Sequence, residues 1–200
     1  MTRNIQPAIA LIKRFEGIDD GDPNTVNLDP YLCPAGYWTI GWGHVVRDAS
    51  GRMLKGAGEA HRAKAIYPIG ITPMRADVLL ADDVARFNAD LTRILADVHV
   101  LHERETAVNE TLNDNQYCAL LSFVFNVGIG AFIRSTLFTR LLERNHADVP
   151  RQLRRWTRGG GKVLPGLRRR RMAEAKLWLT PVEEQLRVPS APCDPANERA

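Results

Sequence analysis

Cysteine is scarce in this chain of 200 residues, and long apolar runs are missing altogether. The 3 cysteines, Cys33, Cys118 and Cys193, are odd in number and far apart, which excludes a disulfide framework and a cysteine-rich zinc site. No apolar stretch approaches the ~20 residues of a membrane-spanning helix. Met1 to Asn4 lead straight into a helix pattern carrying Lys13 and Arg14, so no secretory signal is expected and the product should accumulate in the cytoplasm. No internal repeat is visible. Acidic residues are missing from one segment. Between Arg151 and Arg171 stand nine of the 27 Lys and Arg and no Asp or Glu, leaving 18 basic against 23 acidic residues elsewhere. A basic segment on an otherwise mildly acidic protein suits an anionic partner. No helix-turn-helix or single-strand-binding motif accompanies it, and Gly161-Lys162 lacks the earlier glycine of a P-loop, so nucleic acid is not the expected partner.

With 44% hydrophobic residues the chain can bury a core, and its length suits one domain or two small lobes sharing a helix. Ile5, Ala8, Ile9, Ile12 and Phe15 recur at helical spacing, with Asn4 as N-cap, Pro7 in the first turn and Gly17 as stop. Residues 18–28, rich in Asp, Asn and Gly, read as a loop. Val45 to Arg52 reads as a strand and turn, and Glu59 to Tyr67 as a short helix. Thr72-Pro73 opens a long helix whose apolar positions run from Met74 to Leu95. The remainder reads as all-helical: Tyr117 to Val127 capped by Asn113 to Gln116, Ser135 to Leu142, Asp148 to Trp156, and Leu167 to Leu179. Gly159 to Gly161 is expected to be a flexible loop. From about Val188 the Pro-rich, polar tail is expected to lack fixed structure.

Asp29 to His44 is the most informative stretch. Gly36, Gly41 and Gly43 permit backbone conformations closed to other residues, and Tyr37-Trp38-Thr39-Ile40 has the character of a strand. The pattern predicts a tight hairpin that holds Thr39 at a fixed place. Before it, Phe15-Glu16-Gly17 puts a lone glutamate at the end of the first helix. A carboxyl at a helix end facing a rigid hairpin is a candidate acid catalyst.

Glutamate and hairpin together resemble the phage-type lysozymes, or endolysins, of glycoside hydrolase family 24. Those enzymes carry a helix ending in Glu-Gly, then Tyr-x-Asp-x-x-Gly-x-x-Thr-Ile-Gly-x-Gly-His. Tyr31 to His44 match this in register with one departure: the family's aspartate falls on Cys33. Asn113-x-x-Gln116, Phe125 to Gly128, Ser135-Thr136-Leu137, Trp156 and Gly160 to Leu167 extend the resemblance across roughly residues 5–180, with 45–71 as an insertion.

The resemblance implies an α+β, two-lobed lysozyme fold: an N-terminal lobe over about 14–72 with the hairpin, a linking helix over about 73–97, and a helical C-terminal lobe over about 98–180, joined by the N-terminal helix. It implies hydrolysis of the β-1,4 bond between N-acetylmuramic acid and N-acetylglucosamine in bacterial peptidoglycan, for phage or prophage host lysis. The enzyme would reach the wall from the host cytoplasm through a holin or host damage, as a monomer without cofactor or metal. Carried over residue by residue, Glu16 is the acid, Thr39 helps place the attacking water, and Cys33 stands where the second carboxylate belongs. Ser122, Phe125 and Asn126 are expected to line the cleft. One arginine of Arg168 to Arg171 is expected to approach Glu16; Arg168 heads that run and is assigned to substrate binding.

Each assignment has a plainer competitor. Cys33 can be a packed, inert thiol, or act as a thiolate, or leave its role to Asp29 four residues earlier. Phe125, Trp156 and Trp178 can be core residues. His99 and His102, with Glu103 and Glu105 beyond, lack a third ligand pattern for a metal. A lytic transglycosylase would cut the same bond with the substrate's own 6-hydroxyl. A non-enzymatic wall- or nucleic-acid-binding protein would rely on the basic helix alone.

Overall fold

The computed structural model describes residues 3–18, 20–101 and 108–182. The tail from 186 with Cys193, the side chain of His99, and His102, Glu103 and Glu105 lie outside the described residues or side chains. Helix α1 spans Gln6–Glu16, and a three-stranded antiparallel sheet follows: β1 (Tyr31–Leu32), β2 (Trp38–Ile40) and β3 (His44–Val45), in that order. A short α2 (Ala60–Ile66) leads to the long α3 (Pro73–Leu101), which runs four residues past the predicted end. Then come α4 (Asp114–Val127), α5 (Ile129–Ile133), α6 (Thr136–Leu142), α7 (Val149–Leu153), a hairpin of β4 (Arg158–Gly159) and β5 (Lys162–Val163), and α8 (Pro165–Leu179).

Two apolar cores share α3. Ala76 and Leu79 from its first turns pack with Leu28, Ile40, Val46, Leu54, Ala63 and Ile71 under the small sheet. Leu80, Val84, Leu91 and Leu95 pack with α1, α4 and the helices beyond. Trp42 touches both cores. Within the larger core α4 is buried over Tyr117 to Val124, as expected of a helix that is apolar all round. Asn113 and Gln116 close a reciprocal capping box at its start, satisfying two backbone donors. Truncating a residue such as Leu120 to alanine would cost about 2–5 kcal/mol.

Sequence and structure differ around 148–163. The helix predicted over Asp148 to Trp156 is only α7, and the glycine run is an ordered hairpin inside a lobe that reads as all-helical. Gly160 and Gly161 occupy its two turn positions with φ of 57° and 78°. Two successive positive φ values are what a two-residue type I′ turn requires, and glycine adopts them without steric cost. In the 45–71 insertion, Asp48 organises a turn by accepting bonds from Ser50 and Arg52, and single bridges join Arg47 to Met53 and Tyr37 to Lys55.

Candidate active site

Glu16 is the last residue of α1 because Gly17, at a φ of 68°, ends the helix. Its carboxylate emerges between the two lobes and borders two adjoining cavities. One, of about 1070 Å³, is walled by the end of α1, Pro34 and α8. The other, of about 470 Å³, is walled by Gly43, His44, α3 and Phe125. Asn126 borders both.

The hairpin is held against α1 and α3 by polar contacts. Trp42 Nε1 donates to Asp77 Oδ1 at 2.7 Å, and Lys13 Nζ lies 2.7 Å from the same oxygen. His44 Nδ1 and Asp83 Oδ2 are 2.8 Å apart, and Arg86 also pairs with Asp83. Burial works against the Asp83 carboxylate, but His44 and Arg86 more than offset it, leaving its pKa below the ordinary value. Gly41 lets this sheet approach α3, since a Cβ there would lie 2.7 Å from that of Ala76. Gly43 has a φ of 86° beside Glu16 Oε2.

Arg170, not Arg168, reaches Glu16, with Nη1 2.5 Å from Oε1. Arg170 is buried in α8, whereas Arg168, two positions away on the helix, is exposed beside Arg154 and Thr157 in a cavity that Glu16 does not border. The charge run thus splits by helical phase. Ser122 also departs from its expected place. It is fully buried, and its hydroxyl donates to Glu174 Oε1 at 2.9 Å beneath the cleft instead of lining it. Phe125 does line the smaller cavity, its ring tilted against that of Phe87 with centroids 5.2 Å apart, and Asn126 accepts from Arg171 Nη2 at 2.5 Å. Trp178 is buried in the larger core, and Trp156 packs against it.

Tyr31 pairs with Thr39 and Leu32 with Trp38, and Cys33 follows β1 into the turn, its N–H donating to the Tyr37 carbonyl at 2.9 Å. Neither Cys33 nor Thr39 borders the two cavities; Pro34, next to Cys33, and Gly43, at the turn before β3, do. The Thr39 hydroxyl lies 3.4 Å from the Tyr31 carbonyl oxygen. Asp29 is buried and accepts from the Thr25 hydroxyl at 2.7 Å, a contact that ties it to the loop before the sheet. Cys118 is buried and burial pushes its thiol up to about 11, so Cys33 is the more accessible of the two described thiols.

The family model for phage lysozyme matches residues 15–174. The chain belongs to the phage lysozyme family. An endolysin of Acyrthosiphon pisum secondary endosymbiont phage 1 is 30% identical over 177 residues, covering 86% of this chain and 95% of that protein. An endolysin of Bacillus phage PZA is 32% identical over 173 residues, covering 86% of this chain but 54% of that longer protein. The solved muramidase domain of SpmX from Asticaccaulis excentricus superposes with a TM-score of 0.61 at 28% identity, covering 90% of this chain and all of the domain. As a phage lysozyme, the chain is a peptidoglycan-hydrolysing enzyme with the α+β lysozyme fold, and its match to the family model includes Glu16 and the hairpin. Sequence reasoning missed Arg171 and Glu174 as a buried pair at this site. The available signal was their i, i+3 spacing on one helix.

Proposed function

We propose that the enzyme is a muramidase that hydrolyses the β-1,4 bond between N-acetylmuramic acid and N-acetylglucosamine, with Glu16 as general acid. The position of Glu16 carries this reading: one carboxyl borders both cavities, as an acid acting in the middle of a bound strand would. Hydrolysis needs a proton for the leaving oxygen and support for attack at the anomeric carbon. Thr39 and Cys33, both on the hairpin, are assigned to the second task, with Phe125 and Asn126 binding the strand. The biological role is host lysis by a phage or prophage, with delivery to the wall through a holin or host damage and action as a monomer.

The replacement of the family's aspartate by Cys33 favours one second reading, a lytic transglycosylase, which needs the acid but no water-placing carboxylate. Mass spectrometry of digested peptidoglycan separates the two. Muramic reducing ends support hydrolysis; anhydro ends, lighter by one water, support transglycosylation. Wall binding without soluble products would overturn both.

A further inference from the structure

Behind Glu16 lies a second carboxylate that the hydrolysis described above does not use. Glu174 is fully buried in α8. Its Oε1 accepts from Ser122 Oγ at 2.9 Å and from Arg170 Nε at 3.3 Å. Its Oε2 lies 3.1 Å from Arg171 Nη1, close enough for an ion pair but without hydrogen-bond geometry. Each nitrogen of the Arg170 guanidinium has a partner: Nε with Glu174, Nη1 with Glu16 and Nη2 with the Ser122 carbonyl at 3.2 Å. Glu16 and Glu174 therefore share one buried arginine from opposite ends. A buried ion pair is a weak source of stability, because desolvation offsets its attraction. One guanidinium away from the acid, however, its charge acts on the chemistry.

We propose that Glu174 is a positioning residue for Glu16: its carboxylate fixes Arg170 in the core and offsets the charge of Arg170 and Arg171, leaving Glu16 free to hold the proton it donates. The inference rests on the reading of Glu16 as general acid. With both carboxylates and both arginines charged, the cluster is neutral. Without the charge of Glu174, two cations face Glu16 alone and favour its ionised form, which has no proton to give. Among the described residues, the charged groups around Glu174 are Glu16 from α1 and Arg170 and Arg171 from α8; α4 contributes only the neutral Ser122 and Asn126. Burial raises the pKa of Glu174, and both arginines and the Ser122 hydroxyl act against that rise. Burial also lowers Arg171 to about 10. Charges buried together are costly to hold, so they respond to the loss of one partner.

The test is the pH–rate profile on purified peptidoglycan, with products followed by mass. Glu174→Gln is expected to move the alkaline limb down by roughly one pH unit, giving up to about tenfold less activity above it and little change on the acid side. Glu174→Asp restores the charge and should bring the limb part of the way back. Ser122→Ala removes the hydroxyl that stabilises the Glu174 carboxylate, so it should shift the limb the same way by less. If Glu174→Gln does not fold, Ser122→Ala decides alone. A folded Glu174→Gln or Ser122→Ala enzyme with the wild-type limb, or with an equal loss at every pH, overturns the proposal. Muramic reducing ends from the wild type alongside an unmoved limb would leave the muramidase reading standing. No saccharide product from the wild type would sink both.

Discussion

Glu16 stands between two unlike halves of one cleft. On the α8 side, Arg14, Arg154, Arg169, Arg170 and Lys176 border the cavity, and Glu16 is the sole acid among its lining residues. Among the described residues, only Arg170 of those five has a carboxylate partner. On the hairpin side, Arg47 and Arg86 are balanced by Asp83 and Asp90, and Phe87 and Phe125 supply an aromatic wall. The first half draws in anions over several ångströms, whereas the second offers stacking and short-range hydrogen bonds. On the proposed function, a strand carrying carboxylates beside the scissile bond would meet one half by charge and the other by shape. The basic segment, which reads from sequence as one patch, divides in two: Arg170 turns inward to Glu16 and Arg171 to Glu174, and the rest face out.

The sharpest break of this picture is Glu16→Gln, which removes the one carboxylate common to both halves while keeping its volume. Lysis of purified walls should fall at least about 10²-fold, the lower range for general acid catalysis. An unchanged melting curve must accompany it. Near-normal lysis by the folded variant would detach the chemistry from this junction.

Cys33 asks whether the hairpin supplies more than shape. In a background with Cys118 and Cys193 changed to serine, Cys33→Ala should lose about tenfold in rate, a barrier change of about 1.4 kcal/mol. Cys33→Asp restores the family pattern and should keep lysis. Full activity of Cys33→Ala would remove the thiol from the mechanism and favour substrate-assisted cleavage, because Asp29 is already bonded to Thr25.

The charged half should respond to salt, and the hairpin half should not. Arg154→Gln with Arg169→Gln is expected to raise KM on peptidoglycan a few-fold at low ionic strength with kcat little changed. The difference should shrink near 0.15 M salt, where the Debye length is about 8 Å. Arg47→Gln on the other side should leave KM within twofold or so. Equal effects from the two sides would dissolve the contrast.

Much of the frame was legible because local chemistry wrote it. The stop at Gly17, the hairpin from Tyr31 to His44, the Asn113–Gln116 cap and the Thr72-Pro73 helix start each depend on a few adjacent residues. The Gly160-Gly161 turn was misread because glycine permits both a flexible loop and a tight turn, and only pairing of Arg158 with Val163 decides between them. The inward half of the arginine run was hidden for another reason. Charged residues are rarely fully buried unless paired, and the pairing of Arg170 with Glu16 spans 154 positions. Ser122 matches a cleft position by motif, but the burial of α4 turns its hydroxyl toward Glu174.

The smallest effect on activity is expected from Asp83→Asn, which tests whether the hairpin half is fixed by its own charges. Asp83 holds His44 on β3 and Arg86 on α3, and its pKa lies below the ordinary 3.8. A depressed carboxylate contributes stability that is present above its unfolded value and disappears as pH falls through the lower folded one. Wild type should therefore lose stability over that acid window, whereas Asp83→Asn should lack this component. At neutral pH the variant should be destabilised by about 1–2 kcal/mol, on the scale of partly buried hydrogen bonds to a charged group. Its lysis at moderate temperature should stay within a few-fold of wild type, because Asp83 anchors β3 and is not bonded to Glu16. Parallel thermal melts between pH 3 and 7 read this directly. If the two proteins lose stability identically below pH 4, the His44–Asp83 contact is not what pins the hairpin, and Trp42 with Asp77 and Lys13 carries that task.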